Sequence, residues 1–104
     1  MSRNLCRIGD QVQGTCRVNA PGHPRAFTGT WNTGSSNITA DGIGIVRVDD
    51  TGTTDCGHTF KAIEGAEWSS DTNGKKLHRV GDAVEVIGGG EGISVTGSNI
   101  CRSI

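Results

Sequence analysis

Apolar and polar positions follow one another in short alternating bursts separated by glycine and small polar residues, and no window carries apolar side chains at helical spacing long enough to predict a helix. Asp41-Gly42 and Asn73-Gly74 stand between strand-like stretches. Each is a strong two-residue hairpin signal, because the turn needs positive φ at both central positions. The first predicts strands over 36–40 and 43–48. Turn residues recur every 8 to 12 positions or so, the pattern of an all-β chain built from short strands.

The same pattern repeats on a longer scale. Arg7-Ile8-Gly9-Asp10 returns as Arg47-Val48-Asp49-Asp50 and again as Arg79-Val80-Gly81-Asp82. A second element interleaves with it: Gly34-Ser35-Ser36-Asn37-Ile38 precedes the second block, Gly65-Ala66-Glu67-Trp68 the third, and Gly97-Ser98-Asn99-Ile100 opens another copy. Units that repeat every ~30–40 residues stack or wrap around a shared axis. Three imperfect copies are too few for a solenoid and predict one domain over residues 1–104 with approximate threefold internal symmetry. Asp10, Asp50 and Asp82 are expected to cap turns through backbone amides, with Arg47 and Arg79 bracing the carboxylates.

Composition supports strands and raises a stability problem. Nine Ile, eight Val and eleven Thr against two Leu and six Ala suit a pleated surface. Seventeen glycines, two Phe, two Trp and no Tyr leave little with which to fill a core. Something besides apolar burial is needed.

Charge excludes some partners. The formal net charge is −1, and no basic run longer than Lys75-Lys76 exists, unlike the clustered basic surface of a nucleic-acid binder. No stretch of eighteen apolar residues predicts a membrane span. The start, Met1 to Arg7, lacks the apolar segment of a secretory signal, so synthesis in the cytoplasm is expected, with the cysteines as thiols or metal ligands.

Chemistry gathers in the segments that link the repeats. Residues 13–30 hold Cys16 and His23, and residues 51–63 hold Cys56-Gly57-His58. Residues 83–92 hold Gly88-Gly89-Gly90 and no ligand. With His78, these residues supply enough nitrogen and sulfur for one tetrahedral zinc site, although the spacing matches no zinc finger. The bland alternative is surface histidines and small buried thiols. Cys56 and His58 as nucleophile and base lack a visible third group or oxyanion site, so no enzyme is expected. The glycine run lacks the Lys-Ser/Thr ending of a phosphate loop and reads as a turn. Asn37-Ile38-Thr39 matches a glycosylation pattern that has no meaning without a secretory route. Asp49-Asp50 lacks the alternating oxygen ligands of a calcium loop.

The repeated hydrophobic-Gly-Asp, the Gly-Ser-x-Asn-Ile element and the Asn-Gly turn leading to an Arg before the next Gly-Asp resemble PAAR-repeat proteins from about Arg7 to Ile100. The signature itself is degenerate, reading Gly44-Ile45-Val46-Arg47 and Lys76-Leu77-His78-Arg79, so that only the Arg survives. The short, extension-free members of contractile phage tails look most similar. The resemblance implies a small all-β cone of hairpins with threefold pseudo-symmetry, a metal at its vertex and a triangular base. One copy would cap a trimeric β-helical tail spike in the virion and lead it through the host outer membrane. It implies three histidines and one cysteine around zinc or iron: His23, His58, His78 and Cys16, with Cys56 as the alternative sulfur. Cys6 and Cys101 would be structural thiols of the base, and Ile38, Ile45, Val95 and Ile100 would meet the spike. A type VI secretion tip is the neighbouring alternative, and a small zinc-binding nucleic-acid or interaction module is the alternative from another class.

Overall fold

The three Arg-x-x-Asp blocks fold alike in a computed structural model that describes residues 3–36, 38–40, 42–66, 74–97 and 102–103. In each block the aspartate folds back onto the arginine. The amides of Arg7, Arg47 and Arg79 donate to Oδ2 of Asp10, Asp50 and Asp82 at 2.7, 2.8 and 2.9 Å. The corresponding guanidinium Nε atoms reach the same oxygens at 3.3, 2.9 and 2.8 Å. Each aspartate amide returns a 3.0 Å bond to the arginine carbonyl. The third position of every block is left-handed, with φ of 92° at Gly9, 78° at Asp49 and 87° at Gly81. Asp49 stands where the other copies use glycine, and aspartate is among the few side chains that enter this region routinely.

The residues just before these turns close a ring. The Cys6 amide donates to the His78 carbonyl at 3.0 Å, Val46 to Cys6 at 2.9 Å, and His78 to Val46 at 2.8 Å. Cys6, Val46 and His78 are fully buried. Beside the ring, Leu5, Ile45 and Leu77 form a small apolar plug with Ile38 packed against it. Isolated bridges Leu5↔Arg79, Arg7↔Ile45 and Arg47↔Leu77 knit the three copies together. This end, the base, carries the approximate threefold symmetry that the repeats predicted.

Above the base stand three hairpins. The described residues form ten short strands: β1 Arg3–Asn4, β2 Gln11–Cys16, β3 Arg25–Trp31, β4 Thr39–Ala40, β5 Ile43–Gly44, β6 Thr51–Thr54, β7 Thr59–Ala62, β8 Ala83–Val86, β9 Gly90–Ser94 and β10 Arg102–Ser103. The pairs β2–β3, β6–β7 and β8–β9 join into a closed antiparallel barrel in that order, and β9 pairs back onto β2 from Val12↔Ser94 to Cys16↔Gly90. Closure leaves none of these six strands with an open edge. The other strands form two small ribbons, β1 with β10 and β4 with β5.

Alternation decides what fills the barrel. Along β3, Phe27, Gly29 and Trp31 point in while Ala26, Thr28 and Thr30 face out. Phe60 on β7 packs edge-on against Trp31 at 4.8 Å between ring centres and stacks on Phe27 at 6.0 Å. Gly29 and Gly52 make room for that ring, since a Cβ on either would collide with Phe60. Glycine opposite an aromatic ring thus lets few large side chains occupy the barrel.

A hairpin forms where Asp41-Gly42 predicts one: Ala40 pairs with Ile43 and Gly42 has φ of 76°, while Asp41 lies outside the described residues. Its strands are shorter than 36–40 and 43–48: Ile45 still bonds to the Ile38 carbonyl, but Val46 turns into the ring and Arg47 bridges to Leu77. Asn73 lies outside the described residues.

Candidate metal centre

The hairpin ends opposite the base bring together four donors. Cys16 ends β2, His23 lies in the loop before β3, and Cys56 and His58 belong to the turn between β6 and β7. One ligand atom from each lies within 4.8 Å of all the others. The Cys16 and Cys56 sulfurs each stand 3.5 Å from His58 Nδ1. Tetrahedral zinc with Zn–S of about 2.3 Å and Zn–N of about 2.0–2.1 Å requires a sulfur–nitrogen separation of about 3.5–3.6 Å. The spacing therefore fits a metal between the donors at least as well as direct contact.

Local bonds aim each ligand. Thr54 organises the second hairpin: its hydroxyl accepts the His58 amide at 2.9 Å and contacts the Cys56 sulfur at 3.2 Å, while its own amide reaches the His58 carbonyl at 2.7 Å. Gly57, with φ of 87°, lets the chain place Cys56 and His58 on the same side of that turn. His23 Nδ1 donates to the Pro21 carbonyl at 3.0 Å, which leaves Nε2 with the lone pair. That Nε2 is buried and has no hydrogen-bond partner. A buried nitrogen without a partner is costly, and a metal removes the cost. The Cys56 sulfur raises the proton affinity of His23 without meeting hydrogen-bond geometry.

The two sulfurs differ. Burial pushes the Cys16 thiol up. Burial acts the same way on Cys56, but contacts from Thr54, His58, His23 and Cys16 outweigh it and hold that thiol at about 6. A thiolate is thus available at neutral pH to begin metal capture. The third hairpin contributes no ligand; it is tied to the first by Arg17, whose guanidinium grips Glu91 at 2.8 and 3.1 Å.

His78 is not in this group, which corrects the expected ligand set. Its ring lies at the base, where Nδ1 donates to the Glu64 carbonyl at 2.7 Å and Nε2 accepts from the Ser94 hydroxyl at 2.7 Å. Ser94 also accepts the Trp31 indole N–H at 3.1 Å, and the two rings meet edge-on at 5.1 Å. Burial lowers the His78 pKa, so the ring is neutral, with no nitrogen left for a metal. The physical reason is its place in the repeat: His78 matches Cys6 and Val46, each just before the Arg of its turn, and not a hairpin tip. Cys56, the alternative sulfur, fills the vacancy. Aligning the three residues before Arg7, Arg47 and Arg79 was the available signal, because two of the three are apolar.

The expected base residues divide. Ile38 packs on the plug, Val95 is half-buried with its amide bonded to the Gln11 carbonyl, and Ile100 lies outside the described residues. Ile45 is fully buried inside the plug and has no surface of its own to offer a partner. Cys6 is walled into the base, where burial pushes its thiol up to about 12, so it is a structural thiol. Cys101 lies outside the described residues. No protein-family model matches the chain, and no curated protein matches it.

Proposed function

We propose that this chain is a non-enzymatic tip protein that caps the trimeric β-helical central spike of a contractile phage tail. In this reading a zinc ion at the hairpin ends stiffens the point that meets the host envelope. The threefold base carries the proposal. A single chain with three equivalent Arg-Asp turns around a closed backbone ring matches a partner made of three identical subunits, as a cyclic trimer presents three copies of one surface. The hairpin ends opposite the base fit the same task, since four donors converge there. Two thiolates and two imidazoles at tetrahedral spacing suit zinc; when bound, the metal supplies a cross-link between the first two hairpins.

The test is stoichiometric. The purified chain is mixed with the β-helical spike protein of the same tail, and the complex is weighed by light scattering after gel filtration. One copy per spike trimer is expected. Absence of binding, or three copies per trimer, contradicts the proposal.

A further inference from the structure

Cys16 and Cys56 belong to different hairpins, separated in the barrel by β3, and their sulfurs flank the same nitrogen, His58 Nδ1, at 3.5 Å each. All four donors lie within 4.8 Å of one another. Once nothing sits between the two sulfurs, small shifts of the 55–58 turn bring them together. Cys56 is partly exposed at the hairpin end, within reach of a small oxidant, whereas Cys6 is sealed in the base. The arrangement therefore singles out one pair among the described cysteines.

We propose that Cys16 and Cys56 are a redox couple: a two-electron oxidant of the peroxide class converts the metal-bound dithiolate into a disulfide that joins the same two hairpins. The inference rests on the metal site proposed above and adds what happens when the metal is lost. The Cys56 thiolate attacks a peroxide oxygen, the O–O bond breaks and hydroxide leaves, giving a sulfenic acid. The Cys16 thiolate then attacks that sulfur, forming the S–S bond and releasing a second hydroxide. Two electrons pass from the sulfurs to the peroxide, and the divalent ion departs with its charge unchanged. A disulfide cannot use the imidazoles, so His23 and His58 are released while the tie between the hairpins survives. Such a device suits a part that leaves a reducing cytoplasm for an oxidising exterior.

The experiment uses the wild-type chain, first loaded with zinc and assayed for metal, then treated with stoichiometric hydrogen peroxide. Expected are release of the bound zinc, loss of two thiols, a mass lower by two hydrogens, and a single cross-linked peptide joining Cys16 to Cys56. Dithiothreitol with added zinc should restore the starting state. Zinc retained under peroxide, oxygen adducts without a cross-link, or a cross-link that involves Cys6, Cys101 or a second chain would overturn the proposal while leaving the metal site intact. A chain that never takes up zinc would overturn both. Cys16→Ser serves as a control: folded or not, it must give no intramolecular cross-link to residue 16, and Cys56 should then stop at oxygen adducts or link between chains.

Discussion

The two ends of the barrel are held together by different physics. At the base, three copies of one turn are bound through backbone amides and partly buried ion pairs, closed by a ring of main-chain bonds and sealed by Leu5, Ile45 and Leu77. At the opposite end, the first two hairpins share four donor atoms and an exposed Arg25–Asp55 contact at 3.4 Å, and the third adds the Arg17–Glu91 pair to its ladder with β2. Exposed pairs of that kind contribute little. The base is thus held by repetition, whereas the hairpin ends add four convergent donors to strand pairing that runs out to Cys16, Arg25 and Gly90.

The largest effect should follow from attacking the apex alone. Cys56→Ala or His58→Ala should abolish metal binding and remove much of a contribution that reaches about 10–16 kcal/mol in small zinc-dependent domains. Hydrogen exchange should rise at the tips of β2–β3 and β6–β7 while the amides of Cys6, Val46 and His78 stay protected. Equal loss of protection at both ends would erase the contrast.

Breaking the base comes next and should leave metal content untouched. Asp82 is fully buried with Arg79 beside it, so Asp82→Ala should cost about 3 kcal/mol in a denaturant melt, the lower end for splitting a buried pair. The same change at Asp10, whose arginine is more exposed, should cost less. An equal cost at both sites would mean that the turn backbone, and not burial of the pair, sets the energy.

Ser94→Ala strands the Trp31 N–H and the His78 ring nitrogen, and should cost about 1–3 kcal/mol without metal loss. The same ring sets a pH dependence. Burial holds the His78 pKa below its ordinary 6.5, so the unfolded chain takes up a proton that the folded chain resists. Stability is at its full value above about pH 6.5 and falls as the pH drops below it. Asp50 adds a loss of the same sign at lower pH: burial pushes its carboxyl up, but the Arg47 guanidinium and amide and the Thr33 hydroxyl outweigh that and hold it below the usual carboxylate value. His78→Gln should flatten the decline that begins near pH 6.5, in melts followed at several pH values. The smallest effect belongs to Asp49→Gly, which relieves a left-handed aspartate and should stabilise by no more than about 0.5 kcal/mol.

Much of the base could be read from the chain. Three Arg-x-x-Asp blocks, with glycine or aspartate at the third place, predict three equivalent turns, and residue periodicity excluded helices. Closure of the hairpins into a six-stranded barrel was less legible, because pairing of β9 with β2 joins residues near opposite ends of the chain. At the metal centre, Cys16, His23, Cys56 and His58 all stand in the linking segments and were candidates for that reason. Setting His78 aside was not possible, because nearness to such a segment cannot tell a hairpin tip from a base position. His78 and Cys56 differ in what surrounds them: Glu64, Ser94 and Trp31 absorb the first, and Thr54 and Gly57 aim the second.

On the proposed reading the apex holds a metal through Cys16, His23, Cys56 and His58, and His78 takes no part. X-ray absorption at the zinc edge of the purified chain tests it most directly. Two sulfur neighbours at about 2.3 Å and two nitrogens at about 2.0 Å are predicted, unchanged in His78→Gln. One sulfur with three nitrogens, or a signal lost with His78, would contradict the account.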